Sequence, residues 1–225
     1  MNPARFAIYA AVVTLFTAPI NALATPTITC HCFTDRSYDP KEPALADPYF
    51  LASAQNSFFA AEFGVEKKSI VIKKQKGTAS DDLWISYWLA RQTGTPEEKL
   101  LKQRQLQTSW YKTIKSADIK KNKLGPRMAA IFGENVTDTR LADAVVDSLL
   151  LNHRLYRETD LDKLRQSGAG SKELIVAALI SSKNGTPQGQ IYHDVSRGGL
   201  SWGGMLQRVG INAQNLQAEV TALIK

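Results

Sequence analysis

Apolar residues recur along this chain at intervals of three and four, and no stretch shows the strict alternation of a half-buried strand. Phe50, Ala54 and Phe58 make one stripe, introduced by Asp47 as cap and Pro48 in the first turn. Leu83, Trp84, Tyr87 and Trp88 make a second stripe, and Leu174, Ile175, Ala178 and Leu179 a third. Between them, Leu141, Val145, Leu149 and Leu150 share one face of segment 137–156, which reads as a helix packing its neighbours together. The expected fold class is all-α.

Two of these stripes belong to a longer self-similarity. At a spacing of 91 positions, Gln75 pairs with Gln166, Gly77 with Gly168, Ser80 with Ser171, Leu83 with Leu174, and Gly94-Thr95-Pro96 with Gly185-Thr186-Pro187. After one inserted residue, Ser109-Trp110 pairs with Ser201-Trp202, Ile119 with Ile211 and Leu124 with Leu216. Such an ordered series points to a duplicated unit built from short helices. Ser80 and Ser171 are the expected N-caps of one helix in each copy, and Gly94 and Gly185 its expected ends. Thr95 as N-cap and Pro96 at the first helical position, before Glu97-Glu98, start the next helix, with Pro187 as the counterpart of Pro96. Ser109 and Ser201 open a further short helix that reverses at Asp118 or Gly210, both residue types that tolerate a left-handed turn. Trp110 and Trp202 are the expected core anchors of the two copies.

The N-terminus carries a different pattern. Arg5 is followed by a run dominated by apolar residues, Phe6 to Ile20, and then by Ala22-Leu23-Ala24, the small-x-small arrangement read by signal peptidase. Residues 1–24 are therefore expected to be a signal peptide, with a retained anchor as the alternative. A membrane span needs about 20 apolar residues. No later segment is long and apolar enough, so no transmembrane segment is expected in the mature chain. Thr29 before Cys30 does not fit a lipid-modification box. The expected organisation is an extended arm over 25–46, helical unit 1 over 47–136, and a linking helix with helical unit 2 over 137–225. The expected location is the periplasm or the exterior.

Export places Cys30 and Cys32, the chain's two cysteines, in an oxidising compartment. Cys30-His31-Cys32 has the donor types of a zinc or copper site, but there is no second cysteine pair, and a fourth ligand would come from His153, His193, a carboxylate or another chain. A disulfide, within or between chains, and free thiols are the other readings. The spacing matches neither a redox C-x-x-C nor haem attachment. No other cofactor is expected.

The segment "GLSWGGMLQRVGI" (Gly199 to Ile211) has the spacing of a helix-turn-helix, which raises the question of DNA reading. The would-be recognition helix from Asn212 to Lys225 has Lys225 as its one basic residue. The basic copy is interrupted at Gly125-Pro126, because the residue before a proline avoids helical geometry. Sequence-specific DNA binding is therefore not expected, and a packed αα-hairpin with Trp202 and Leu206 facing the core is. Hydrolysis has no support either, since no G-x-S-x-G elbow follows a strand and the chain shows no convincing strand. His153 and His193-Asp194 fit helix positions, and Asp81-Asp82 and Glu97-Glu98 fit first-turn charges. No catalytic residue is assigned, and the chain reads as non-enzymatic.

The pattern of a glycine, then Ser-Trp-Gly and an apolar helix, carried by "GLSWGG" (Gly199 to Gly204) and partly by "LQTSWY" (Leu106 to Tyr111), resembles one in exported bacterial helical proteins of uncharacterised function. The resemblance covers the repeat region and implies an envelope location without a known chemistry. The first copy lacks the glycine before Ser109 and the one after Trp110.

Charge changes the picture most. Residues 25–63 carry a net of −3, residues 64–127 fifteen basic and six acidic side chains for +9, and residues 128–225 ten of each. The basic excess falls in unit 1, in runs containing Lys67, Lys68, Lys73 and Lys74, and Lys120, Lys121, Lys123 and Arg127. These are the candidate contacts for an anionic envelope component or an acidic protein. The expected function is that of an exported interaction or structural protein. The alternative is a metal-binding or thiol-redox protein using Cys30-His31-Cys32.

Overall fold

The helical periodicities become twelve α-helices, and no strand occurs among the described residues. A computed structural model describes residues 39, 41–42 and 44–225. The expected signal peptide and Cys30-His31-Cys32 lie outside the described residues. In chain order the helices are α1 (Asp47–Phe63), α2 (Lys67–Gln75), α3 (Ser80–Thr93), α4 (Glu97–Gln105), α5 (Trp110–Ser116), α6 (Pro126–Ile131), α7 (Asp138–Asn152), α8 (Glu158–Gln166), α9 (Ser171–Asn184), α10 (Gln188–Ser196), α11 (Trp202–Arg208) and α12 (Leu216–Leu223). A 3-10 turn, Lys121–Lys123, precedes α6. The protein is all-α.

The stripes bury as their spacing requires. Phe50, Ala54 and Phe58 of α1 and Leu141, Val145, Leu149 and Leu150 of α7 are at most 1% exposed. Leu83, Ile85 and Leu89 of α3, with Leu174, Ile175 and Leu179 of α9, complete the centre of one continuous apolar cluster.

Helices α2, α3 and α4 match α8, α9 and α10 in length and precede them by 91 positions. Helices α1 and α7 also begin 91 positions apart, at Asp47 and Asp138. Local geometry agrees closely at several joints. Gly94 and Gly185 cap α3 and α9 at φ of 74° and 73°, where a side chain would be strained. Pro96 and Pro187 take the same extended conformation before α4 and α10. The hydroxyls of Ser109 and Ser201 accept from the backbone N–H three residues on, as capping serines do.

Three local expectations are corrected. Ser80 and Ser171 are already the first helical residues, and Ala79 and Gly170 hold the N-cap positions in extended conformation. The Ser171 hydroxyl serves tertiary structure instead, bonding Asp143 at 2.6 Å and Arg165 at 2.8 Å. Pro96 itself, not Thr95, is the N-cap residue of α4, because its extended backbone keeps it outside the helix. Asp47 does not cap α1. Its carboxylate reaches across the molecule and accepts from the backbone N–H of Trp202 at 3.0 Å and Gly203 at 2.7 Å.

That last bond exposes the arrangement of the whole. Helix α1 packs on α9, α11 and α12, while α7 packs on α3 and α6. The packing thus crosses the expected division at 136/137, and each half receives a long apolar helix from the other. The Asp138 carboxylate accepts from the Trp110 N–H at 2.8 Å and from Arg104 at 2.6 Å, the counterpart of the Asp47 contact. Free backbone N–H groups at a helix start need such acceptors, and a carboxylate there also meets the positive end of the helix dipole. Burial pushes the Asp47 carboxyl above the ordinary aspartate range, against the lowering effect of the Gly203 and Trp202 N–H groups. Replacing either aspartate by Ala is expected to cost about 1–2 kcal/mol, the usual loss for a capping acceptor. Urea melts of Asp47→Ala and Asp138→Ala measure it, and midpoints equal to that of the parent would show that water replaces both carboxylates.

Gly203 explains the small residue after the tryptophan. A Cβ there would stand 3.3 Å from both Asp47 Oδ1 and Phe50 Cδ2. At the corresponding places in the other half stand Tyr111 and Leu141, so the larger partner has changed sides.

Candidate anion-contact surface

Unit 1 orients its charge through the way its short helices bury their apolar positions. Leu100 of α4, Trp110 and Ile114 of α5, and Leu124 beyond the 3-10 turn are completely buried. With those residues turned inward, Lys99, Lys102, Lys112, Lys115, Lys120, Lys121 and Lys123 are all exposed. At the same places in the second half stand Gln190, His193, Gly204, Gln207, Asn212, Ala213 and Asn215. The basic surface therefore belongs to one half alone.

The expected contacts divide into two groups. Lys68, Lys120, Lys121 and Lys123 are exposed, with Lys120 pairing with Asp118 at 2.9 Å. Lys67, Lys73, Lys74 and Arg127 are turned into the fold. Lys67 donates to Ser53 Oγ and Lys74 to Asn56 Oδ1, both at 2.7 Å. Lys73 donates to Tyr87 at 3.1 Å and Glu97 at 3.3 Å. Burial works against the Lys73 ammonium, but those two partners hold its pKa above the ordinary lysine value. Lys99, Lys102, Lys112 and Lys115 were not singled out from the sequence. Their three-residue spacing opposite Leu100 and Ile114 was the available signal.

Arg127 belongs to a second charged feature, an open cleft of about 580 Å³ among α6, α7 and α8. It bonds Asp162 at 2.9 Å and Glu158 at 3.1 Å, and Arg165 holds Asp147 at 2.6 Å. Burial raises the Asp147 carboxyl above its ordinary range despite both arginines. Arg127, Arg140 and Arg165 face Asp143, Asp147, Glu158 and Asp162 in the same cleft, so this feature is internally neutralised rather than basic.

The two described histidines are not brought together. His153 bonds Glu62 at 2.5 Å, linking the ends of α7 and α1, and His193 is exposed on α10. Among the described residues no cluster of His, Cys, Asp and Glu is arranged to hold a metal, and no helix is long and apolar enough to cross a membrane. Asp81 and Asp82 bond Thr139 and the Trp110 indole N–H, both at 2.7 Å, so they tie helices together as well as occupying a first turn. Trp110 is fully buried and Trp202 4% exposed. The region of the expected recognition helix is a turn in which the Asn212 carboxamide accepts from the Gln214 and Asn215 N–H groups, and α12 starts only at Leu216.

No family model, curated protein or solved structure matches this chain.

Proposed function

We propose that this is an exported, non-enzymatic interaction protein of a bacterial envelope, engaging an anionic component or acidic protein through the exposed lysines of residues 97–124. One observation carries the reading: seven exposed lysines in one half have no basic counterpart except His193 in a second half of the same helical plan. The chain is read as a duplicated unit whose copies have kept their core and diverged in charge. The equal helix spacing, the reciprocal Asp47 and Asp138 contacts and the Glu62–His153 pair support it. Glu62 and His153 stand at equivalent places, and a residue meets its own counterpart where a twofold relation has its axis. The apolar N-terminal run supports export.

The test uses the full mature chain, because each half completes the other. It is expected to bind the polyanion heparin at low ionic strength and to release it steeply as salt rises, since charges are screened over about 10 Å at 0.1 M. Replacing the seven lysines by Gln is expected to weaken binding at least about tenfold, as loss of several phosphate-like contacts does. Equal binding by parent and variant would remove the basic surface from the account. One equivalent of zinc or copper, lost on Cys30→Ser, would move the reading to chemistry at Cys30-His31-Cys32.

A further inference from the structure

Leu106 is 82% exposed and falls in the sequence between the lysine pairs of α4 and α5. A lone exposed leucine is ordinary. This one is held outward by a built turn: Leu106 N–H donates to the Gln103 carbonyl, and Gln107 N–H to the Arg104 carbonyl. The Arg104 guanidinium closes the turn from inside, bonding the Gln107 carbonyl at 2.7 Å and Asp138 at 2.6 Å. The leucine is thereby presented on a fixed base, with little ordering left to lose on contact. In the second half Arg197 stands at its place, so the apolar tip and the lysine surface occur together in one half and are absent together from the other.

We infer that the anionic partner is a phospholipid surface, with Leu106 entering the headgroup layer while Lys99, Lys102, Lys112 and Lys115 meet the lipid phosphates. This rests on the proposed anionic partner and names its class. Lysine-rich surfaces with an apolar tip suit a fluid, anionic interface, where each lysine adds attraction and the tip is withdrawn from water. The exposed cations of residues 97–124 are all lysines, without the planar forks that recognise one phosphate bidentately. Tyr111, the aromatic nearest these lysines in sequence, packs against Phe132 at 5.1 Å instead of offering a platform for bases.

The experiment measures the full mature chain on vesicles of phosphatidylglycerol with phosphatidylcholine, on phosphatidylcholine alone, and on heparin. Binding to the anionic vesicles and not the neutral ones is expected. Leu106→Ser is expected to weaken vesicle binding about tenfold, the order expected when one leucine side chain remains in water, and to leave heparin binding within about twofold, since the charge is unchanged. Leu106→Trp is expected to strengthen vesicle binding. A Leu106→Ser protein that binds vesicles like the parent would overturn the leucine's role while leaving the basic surface in place. Heparin binding without vesicle binding would overturn the lipid assignment alone, and binding to neither would overturn the proposed function itself.

Discussion

A chain beginning at Gly64 is expected to lose cooperative unfolding, although it retains eleven of the twelve described helices. Helix α1 buries Phe50 beside Gly203 of α11 and Phe58 between Trp84 and His153. Phe59 packs against Trp84 and Tyr87 of α3, and all three are at most 2% exposed. Each such side chain contributes about 2–3 kcal/mol, and their sum approaches the whole stability of an ordinary domain, about 5–15 kcal/mol. Removing the helix also uncovers its neighbours α9, α11 and α12 and leaves the Trp202 and Gly203 N–H groups without Asp47. Circular dichroism should show surviving helix with a broad melt, and amide exchange should show protection lost first in α9 to α12. Adding residues 44–63 as a peptide is expected to restore the sharp transition in part. A truncated chain that melts within a few degrees of the parent would reduce α1 to an appendage.

Trp110→Ala and Trp202→Ala are expected to cost about 3–5 kcal/mol each, the range for emptying a buried aromatic site. In a protein of this size that lowers the melting temperature by on the order of 10 °C. The loss should be greater at Trp110, which is fully buried and whose indole N–H donates to Asp82 at 2.7 Å. Its removal leaves that carboxylate beside Arg104, 3.4 Å away, with one partner fewer. Trp110→Phe restores much of the volume and not the bond, so its position between the parent and Trp110→Ala separates packing from hydrogen bonding. Two melts shifted by less than a degree would mean that the tryptophans are surface residues whose role is contact with a partner.

Helix existence was legible because the cause is local. Leu141, Val145, Leu149 and Leu150 can share a buried face only in a helix, and Gly94 and Gly185 supply left-handed ends that other residues take with strain. Ser109 and Ser201 cap as their position suggests. Of the caps that were misplaced, Ser171 and Asp47 are taken by tertiary partners and the Ser80 hydroxyl is buried without a hydrogen bond, outcomes that chain order does not reveal. The same holds for charge. Lys74 and Lys123 look alike in a basic run, but Lys74 finds Asn56 on α1 while Lys123 finds solvent. Leu106 was not visible as a feature because its exposure depends on Arg104 closing the turn beneath it.

The long reach of Asp47 sets an order in time. Asp138 and Trp110 are separated by 28 positions, so that joint can form while the chain is still short. Asp47 and Trp202 are separated by 155, and α12, which α1 also packs against, comes last. Helix α1 therefore waits for α11 and α12 with Phe50 uncovered until Gly203 has been added, although Phe59 can meet Trp84 and Tyr87 of α3 early. Contacts this distant slow folding and leave sticky surface open in the interval. The Asp138 joint can thus close well before the Asp47 joint, so the part of α1 that takes α11 and α12 is the late-closing seam of the fold.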